Sequence, residues 1–405
     1  MTHQPQSQFL LEMVERGFFN QCTDIVALDD LLCRGEVTAY AGFDATADSL
    51  HVGHLVTLMA IRRLAASGHR VIALVGGATS RIGDPSFRTS SRQLLDKDTV
   101  DRNLAGISAN IRQVLGDFAD RVSFVDNNDW LGNVGFLDFM RDVGSHFTVA
   151  RMLAMDSVKS RLEENNPLSV LEFSYMMLQS ADFVELARRH GCRLQLGGSD
   201  QWGNIVNGID LARRTGGAEL FGLTTKLLTT ADGKKMGKTA DGAVWLSADK
   251  LAPFAFWQFW RNAEDADTAR FLRMFTDLPS GWIEETVSCE KTVNTAKIAL
   301  ANAVTALVHG KEAAAECEAK AAALFSGAIT EPTHTVKEEE SKGILELLIR
   351  IGMAQTKNEA RRLVEGNGVR INGRTESDWR TTFAPEAFPL RIDVGKRRKA
   401  LVALA

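Results

Sequence analysis

Tyrosine is almost missing from this chain. Its 405 residues include 21 phenylalanines and 7 tryptophans but only 2 tyrosines, Tyr40 and Tyr175. Drift in composition accounts for such a count; so does a chain that keeps a phenolic hydroxyl only where something needs it. Cysteine is also sparse. Cys22, Cys33, Cys192, Cys289 and Cys317 are scattered, odd in number, and form no C-x-x-C pair. That pattern argues against a disulfide framework and a thiolate zinc site and fits reduced thiols. There is no basic surplus: 47 Lys and Arg face 51 Asp and Glu, a net charge of −4. The chain is therefore no uniformly basic coat for nucleic acid, although a local basic patch stays open. No apolar run reaches the roughly 18 residues of a membrane-spanning helix. The opening "MTHQPQSQFLLEMVERGFF" has no basic segment before its apolar residues and carries Glu12 and Glu15. It reads as neither a secretory signal nor a transit peptide. The expectation is a cytoplasmic protein with no membrane association.

What is present is ordinary in bulk: 45% hydrophobic and 24% charged residues, enough chain for two or three domains. Residues 1–35 read as helical. "TAYAGF", "RVIALVGGAT", "RVSFVDNNDW" and "CRLQLGGSDQW" read as strands that run into loops rich in Gly, Asp and Asn. Helical stretches alternate with them, among them "SLHVGHLVTLMAIRRLAASGH" and "EFSYMMLQSADFVELARRHG". Strands alternating with helices predict an α/β fold built on a doubly wound parallel sheet. Residues 247–325 read as mostly helical, with Leu300, Val304, Leu307 and Val308 on one stripe. The acidic, apolar-poor segment 326–342 reads as a linker. The remainder, 343–405, holds 12 Lys and Arg against 7 Asp and Glu, so it carries +5 while the rest carries −9. A basic tail on an acidic body suggests a polyanionic partner; a solvated basic surface is the plainer reading.

Two short motifs suggest chemistry. In "HVGH", His51 and His54 are three apart at the start of a predicted helix. A metal site needs a third ligand, and H-E-x-x-H is absent. A helix N-terminus instead favours a phosphate, to which imidazole N–H groups add donors; two core histidines are about equally expected from this pair alone. In "GKKMGKT", Lys235 and Lys238 sit among Gly233 and Gly237. The pattern is not a Walker A loop, and alone it matches many surface loops. Tyr175, Gln179 and Asp182 fall at i, i+4 and i+7, so they share one helix face. A solvent-facing polar stripe is the commoner outcome of that spacing, but Phe173, Met176, Met177, Leu178 and Phe183 make the surroundings apolar.

Taken together, "HVGH" and "KMGKT" resemble the HIGH and KMSKS motifs of class I aminoacyl-tRNA synthetases. "YAGFDATADSLHVGH", "LVGGATSRIGDPS", "EFSYMMLQSADF", "LQLGGSDQWGN" and "TTADGKKMGKT" follow in the order of the bacterial-type tyrosyl-tRNA synthetases. "LIRIGMAQTKNEARRLVEGNGVRINGR" resembles an S4 RNA-binding domain. The resemblance implies a Rossmann-like catalytic domain at 1–232 and a KMSKS-type loop with a helical anticodon-binding domain at 233–325. It further implies a linker at 326–342 and an α/β S4 domain at 343–405.

The resemblance also implies roles. Tyr40 and Asp182 would hold the phenolic hydroxyl of L-tyrosine. Tyr175 and Gln179, with Asp84 nearby, would hold its amino group. Asp44 would orient the reactants and Gln201 would lie near the tyrosyl group. Thr46 and His51 would meet the ATP phosphates, Gly53 and His54 the adenosine, Gly198 and Asp200 the ribose. Lys235, Lys238 and Thr239 would clamp the leaving pyrophosphate, with Arg88 and Arg92 assisting. ATP would come with Mg²⁺; no protein-held metal and no tightly bound cofactor are expected. The implied partners are tRNA(Tyr) and a second copy of the chain, with "LGNVGFLDFMRDVG" (131–144) as the candidate dimer face. In the tail, Arg361 and Arg362 fall on a predicted helix, and Arg370 and Arg374 flank a turn at Asn372–Gly373. Two departures stand out: Ala41 where many relatives have cysteine, and Ala45 where proline is common. The rival readings are a tryptophan enzyme of the same fold, a non-catalytic RNA-binding protein on that scaffold, and a metal-dependent hydrolase. Tyr40 with Asp182, the intact His51, His54, Lys235 and Lys238, and the missing third ligand argue against them in turn.

Overall fold

The structure, a computed structural model, describes residues 3–405 apart from 87–94, 232, 234, 235, 237, 240, 241, 290, 291, 327–331, 396 and 397. The first elements are α1 (Gln8–Glu15), β1 (Phe19–Cys22), α2 (Ile25–Arg34), β2 (Thr38–Phe43), α3 (Val52–Ala66), β3 (Arg70–Val75), α4 (Lys97–Leu115) and β4 (Val122–Asp126). Short helices α5 (Asn128–Leu131), α6 (Phe136–Asp142), α7 (Val149–Leu153) and α8 (Asp156–Glu163) lead to α9 (Val170–His190), β5 (Cys192–Gly198), α10 (Trp202–Arg214) and β6 (Phe221–Thr225). The two-residue strands β7 (Lys238–Thr239) and β8 (Gly242–Ala243) precede α11 (Pro253–Arg261), α12 (Asp265–Phe275), α13 (Ser280–Val287), α14 (Val293–His309) and α15 (Lys311–Ser326). The chain ends with β9 (His334–Val336), α16 (Ile344–Arg350), α17 (Lys357–Glu365), β10 (Val369–Ile371), β11 (Arg374–Glu376), β12 (Leu390–Val394) and β13 (Arg398–Leu404).

The chain divides into two compact units. The first comprises Met1–Lys235 and Glu264–Ala296. Its sheet has the order β1-β6-β5-β2-β3-β4. The pairings β6–β5, β5–β2, β2–β3 and β3–β4 are parallel, and β1 closes the edge antiparallel to β6. The near-continuous apolar run of β3 and the burial of every residue of β6 suit strands covered on both faces. Chain order reverses between β2 and β5. In open parallel sheets that switch point leaves a crevice outside the strand C-ends, where ligands bind. The four expected strands appear as β2, β3, β4 and β5.

Two findings about this unit differ from the sequence reading. β1 interrupts the stretch expected to be helical throughout 1–35. Its four residues "FNQC" carry no alternation; pairing with β6 makes them a strand. The second concerns helices α12 and α13, which belong to this unit rather than to one helical domain spanning 233–325. The C-terminal end of α12 is held by arginines: Arg16 Nη1 donates to the carbonyls of Arg273 (3.2 Å) and Thr276 (3.0 Å), and Arg63 Nη2 to Thr276 (2.7 Å). Cations at a helix C-terminus meet its orphan carbonyls and the negative end of its dipole.

The second unit comprises Met236–Ala263 and Lys297–Ala405. Here α11 opens on Pro253 at its first turn and buries Phe256, Trp257 and Trp260. Trp257 Nε1 donates to Asn302 Oδ1 of α14 at 2.7 Å. The C-terminal sheet runs β11-β10-β12-β13-β9 and packs Val369, Ile392, Val394 and Val402 against Ile344, Leu347 and Leu348 of α16 and Val364 of α17. β10 and β11 form a hairpin across Asn372 (φ 48°) and Gly373 (φ 82°), the positive-φ pair that a tight two-residue turn requires. The segment expected as a linker, 326–342, is partly structured: β9 pairs parallel with β13 through Val402, Ala403 and Leu404. The sheet therefore begins inside it.

Candidate active site

Four strand C-ends feed the crevice. β2 leads to Asp44 and the start of α3, β3 to Thr79 and Asp84, β4 to Asn127 and Trp130, and β5 to Gly198 and Gln201. Tyr40 on β2 is in register with Ile72 of β3 and Gln195 of β5. Two residues on, Gly42 is exposed within a central strand, and a Cβ built there meets nothing within 4 Å. An open position in the middle of a covered parallel sheet marks the floor of a pocket.

α9 forms one wall. Ser169 caps it, accepting from Glu172 N at 3.1 Å, while Glu172 Oε2 accepts from Ser169 N at 3.2 Å. The expected face Tyr175, Gln179, Asp182 turns inward, with Tyr175 and Asp182 buried. Tyr40 lies edge-on to Phe183, ring centroids 5.1 Å apart. Its hydroxyl is buried with no hydrogen-bond partner. Burial, with the charge of Asp182 adding, pushes the Tyr40 pKa well up, so the group is a neutral donor. The Asp182 carboxylate accepts from Trp130 Nε1 (2.8 Å) and Asn127 Nδ2 (3.0 Å). Burial nevertheless dominates and raises its pKa to about 7. A buried acid beside an unpartnered buried hydroxyl is the arrangement that a ligand O–H completes, donating to one and accepting from the other.

The other end of the pocket carries two hydrogen-bonded polar groups. Tyr175 Oη donates to Asp44 Oδ2 at 2.9 Å. Gln179 Nε2 donates to Gln201 Oε1 (3.2 Å), Gln201 Nε2 to Asp84 Oδ2 (2.8 Å), and Asn204 Nδ2 to Gln179 Oε1 (2.8 Å). The structure thus brings Tyr40 and Asp182 together, and separately Tyr175, Asp44, Gln179, Gln201 and Asp84.

At the start of α3, His51 is the N-cap. Its Nδ1 accepts from Gly53 N (3.1 Å), and His54 Nδ1 accepts from His51 N (3.3 Å). Each ring thereby spends Nδ1 as an acceptor, which puts the proton on Nε2. The rings lie 4.1 Å apart. Thr46 is exposed on the approach to this helix, and Ala45 beside it is pinned by Ser80 Oγ (2.6 Å) and Asn103 Nδ2 (2.8 Å). Ala41 is fully buried, its neighbours Tyr40 and Gly42 facing the other side of β2. Gly198 and Asp200 sit together at the end of β5. Of the residues expected to clamp pyrophosphate, Arg88, Arg92 and Lys235 lie outside the described residues; of Lys238 and Thr239 only the backbone, in β7, is described.

Sequence reading missed Thr79, Asn127, Trp130, Gln195 and Asn204. Thr79, Asn127 and Trp130 follow strand C-ends, in "GGATS" and "VDNNDW", and polar residues there are the available signal. Gln195 stands out as an amide among the apolar residues of β5; its Oε1 is buried and unpartnered.

The pocket and fold define a class. The family of class I tRNA synthetases (W and Y) matches residues 33–326, and the chain belongs to it. Solved structures of both kinds share the fold. A C-terminally truncated mitochondrial tyrosyl-tRNA synthetase of Aspergillus nidulans is 29% identical (TM-score 0.71, covering 79% of this chain and 95% of that one). A tryptophanyl-tRNA synthetase of Plasmodium falciparum is 12% identical (TM-score 0.54, covering 76% and 84%) and shows the fold alone. Full-length comparison is finer. Tyrosine–tRNA ligases of Cereibacter sphaeroides and Paracoccus denitrificans are each 48% identical over 100% of both chains. Within the class, the chain belongs to the bacterial-type tyrosine–tRNA ligase family.

Proposed function

We propose that the chain activates L-tyrosine with ATP and transfers the tyrosyl group to the 3′ end of tRNA(Tyr). The observation that carries this is Asp182, a buried carboxylate with fixed N–H donors, beside the unpartnered hydroxyl of Tyr40. Phenylalanine in that place leaves the Tyr40 hydroxyl unpaired and buried Asp182 one donor short, a cost far above that of a missing methylene. Tyrosyl-tRNA synthetases are themselves the standing example of this effect. Tryptophan offers an N–H donor but no acceptor oxygen for Tyr40.

In the first step a carboxylate oxygen of tyrosine attacks the α-phosphorus of ATP, and the bond to the bridging oxygen breaks to release pyrophosphate. In the second, a hydroxyl of the terminal ribose attacks the tyrosyl carbonyl and AMP leaves. The protein supplies no nucleophile. Its contribution is orientation and stabilisation of charge on the phosphates. Tyr175, Gln179 and Asp84 hold the amino group, and Asp44 and Gln201 align the carboxylate. Thr46 and the Nε2–H groups of His51 and His54 face phosphate and nucleoside, alongside Gly53. Gly198 and Asp200 take the ribose, and Lys235, Lys238, Thr239, Arg88 and Arg92 take the leaving pyrophosphate. Mg²⁺ would enter as the counter-ion of ATP's phosphates; among the described residues no group of three or more His, Cys, Asp or Glu gathers to hold a metal.

The domain roles are part of the proposal: 1–232 for catalysis, the helices up to 325 and the S4-like tail for gripping tRNA. Arg361, Arg362, Arg370 and Arg374 are exposed on α17 and the β10–β11 hairpin, available for phosphates. A homodimer through 131–144 fits the exposure of Phe136 (75%) and Leu137 (79%). A cytoplasmic location completes the reading; among the described residues no helix is long and apolar enough to cross a membrane. The test is charging of transcripts with labelled tyrosine. We expect tRNA(Tyr) to be charged and tRNA(Trp) not. RNA binding without charging of either would favour a non-catalytic role.

A further inference from the structure

Asp182 and Asp44, two of the three acids of the amino-acid pocket, are joined by a chain of hydrogen bonds whose proton directions are all determined. Asn127 is the starting point. Its Oδ1 accepts from Ala78 N at 2.9 Å, which fixes the amide orientation. Nδ2 then donates one proton to Asp182 Oδ2 (3.0 Å) and the other to Thr79 Oγ1 (2.9 Å). Having accepted there, the Thr79 hydroxyl turns its own proton to Asp44 Oδ1 at 2.9 Å. Asp44 Oδ2 receives the Tyr175 hydroxyl at 2.9 Å. Thr79 is 2% and Asn127 1% exposed, so water does not compete along the chain. Gly76 makes it possible: a Cβ there would lie 2.4 Å from both Asp44 Oδ1 and Thr79 Oγ1.

We propose that Thr79 is a positioning residue that couples the phenol-reading end of the pocket to the end that holds the amino acid's backbone groups. The proposal rests on the tyrosine-activating reading of this site. Thr79 acts through its neighbours. It fixes Asp44 against Tyr175 and, through Asn127, ties both to Asp182. A phenol bound at Asp182 draws on the Asn127 amide, which polarises the Thr79 hydroxyl and its bond to Asp44. Hydrogen bonds in series strengthen one another in this way. Valine has the shape of threonine but neither donates nor accepts. It would leave Asp44 Oδ1 one donor short and one Asn127 N–H unpaired.

The test uses tyrosine-dependent ATP–pyrophosphate exchange by the full chain. Absence of exchange with the unsubstituted protein would remove the reading of the site, not the coupling within it. Thr79→Val should raise KM for tyrosine roughly ten- to a hundredfold, as expected for a lost hydrogen bond to a charged group, with KM for ATP unchanged. Thr79→Ser, which keeps the hydroxyl, should stay within about threefold of the parent. The coupling is read from Asp182→Asn and Tyr175→Phe, singly and together, with and without Thr79→Val. With threonine present, the combined penalty on tyrosine binding should differ from the product of the single penalties by about fivefold or more; with Thr79→Val the penalties should multiply to within about twofold. Asn127→Ala breaks the chain at the next link and should abolish the coupling too, which decides the matter if Thr79→Val does not fold. Tyrosine binding unchanged in Thr79→Val, a Thr79→Ser variant as impaired as Thr79→Val, or penalties that multiply in the parent background would each overturn the proposal.

Discussion

Trp130 and Asp182 share a hydrogen bond: the indole Nε1 donates to Asp182 Oδ1 at 2.8 Å. The bond stabilises the charged form of a carboxylate that burial pushes toward neutrality. Trp130→Phe removes the donor and keeps most of the ring volume. We expect KM for tyrosine at neutral pH to rise about tenfold, the usual size for one charge-assisted bond, with little change in kcat at saturating tyrosine. Steady-state pyrophosphate exchange measures this; an unchanged KM would mean that the indole does not support the carboxylate's charge.

Asp182 should also give tyrosine binding a pH dependence. Its pKa is raised from 3.8 to about 7, burial being the main cause. The ionised form is the better acceptor for a phenolic O–H. Tyrosine affinity should therefore be high above about pH 7 and fall as pH drops through it. Asp182→Asn should bind weakly and show no such break. Stability runs the other way. The folded state takes up a proton that the unfolded chain has already lost, so this group's contribution is full below the unfolded value and is lost as pH rises through about 7. Melting of Asp182→Asn against the parent from about pH 4 to about pH 8 checks the sign: the variant's relative stability should increase with pH.

Arg63 is a structural counterpart. Its guanidinium is almost wholly buried, donates to the Thr276 carbonyl, and pairs with Asp277 at 2.7 Å and Glu12 at 3.4 Å. Arg63→Ala takes one cation from each of those acceptors, leaving them to Arg16 and Arg62, and opens a void between α1, α3 and the end of α12. The expected loss is about 3 kcal/mol of stability, read from the denaturant midpoint. Arg63→Lys should recover only part, because an ammonium cannot reproduce the planar fork.

The tail's arginines should act on RNA alone. Replacing Arg361, Arg362, Arg370 and Arg374 by glutamine should raise KM for tRNA and flatten its dependence on salt by about one unit of slope for each phosphate left without its arginine. Pyrophosphate exchange should be unaffected. Loss of exchange along with charging would contradict the division of labour between the tail and the catalytic sheet.

What could be read from sequence follows the range of the forces involved. Strands β2 to β5 were legible because apolar runs into polar loops are local signals. Tyr175, Gln179 and Asp182 were legible as one face because helical spacing is local too. Tyr40 and Asp182, 142 positions apart in numbering, were matched only through the family resemblance. Thr79, Asn127 and Trp130 were not legible as site residues. They meet Asp182 and Asp44 because β3 lies beside β2 and β4 beside β3, an order no local pattern states. The same holds for β1 and β9, whose strand character comes from partners about 200 and about 68 residues away in the chain. Gln195 gave a signal, an amide within an apolar run, whose meaning depends on its register with Tyr40.

The central claim is that Asp182 and Tyr40 read a phenolic hydroxyl. Amino-acid-dependent ATP–pyrophosphate exchange tests it most directly, with tyrosine, phenylalanine and tryptophan compared by kcat/KM. The account predicts exchange with tyrosine and a preference over phenylalanine on the order of 10⁴-fold or more, tyrosyl-tRNA synthetases being the type case for that figure. Comparable exchange with phenylalanine or tryptophan, or none with tyrosine, would contradict it.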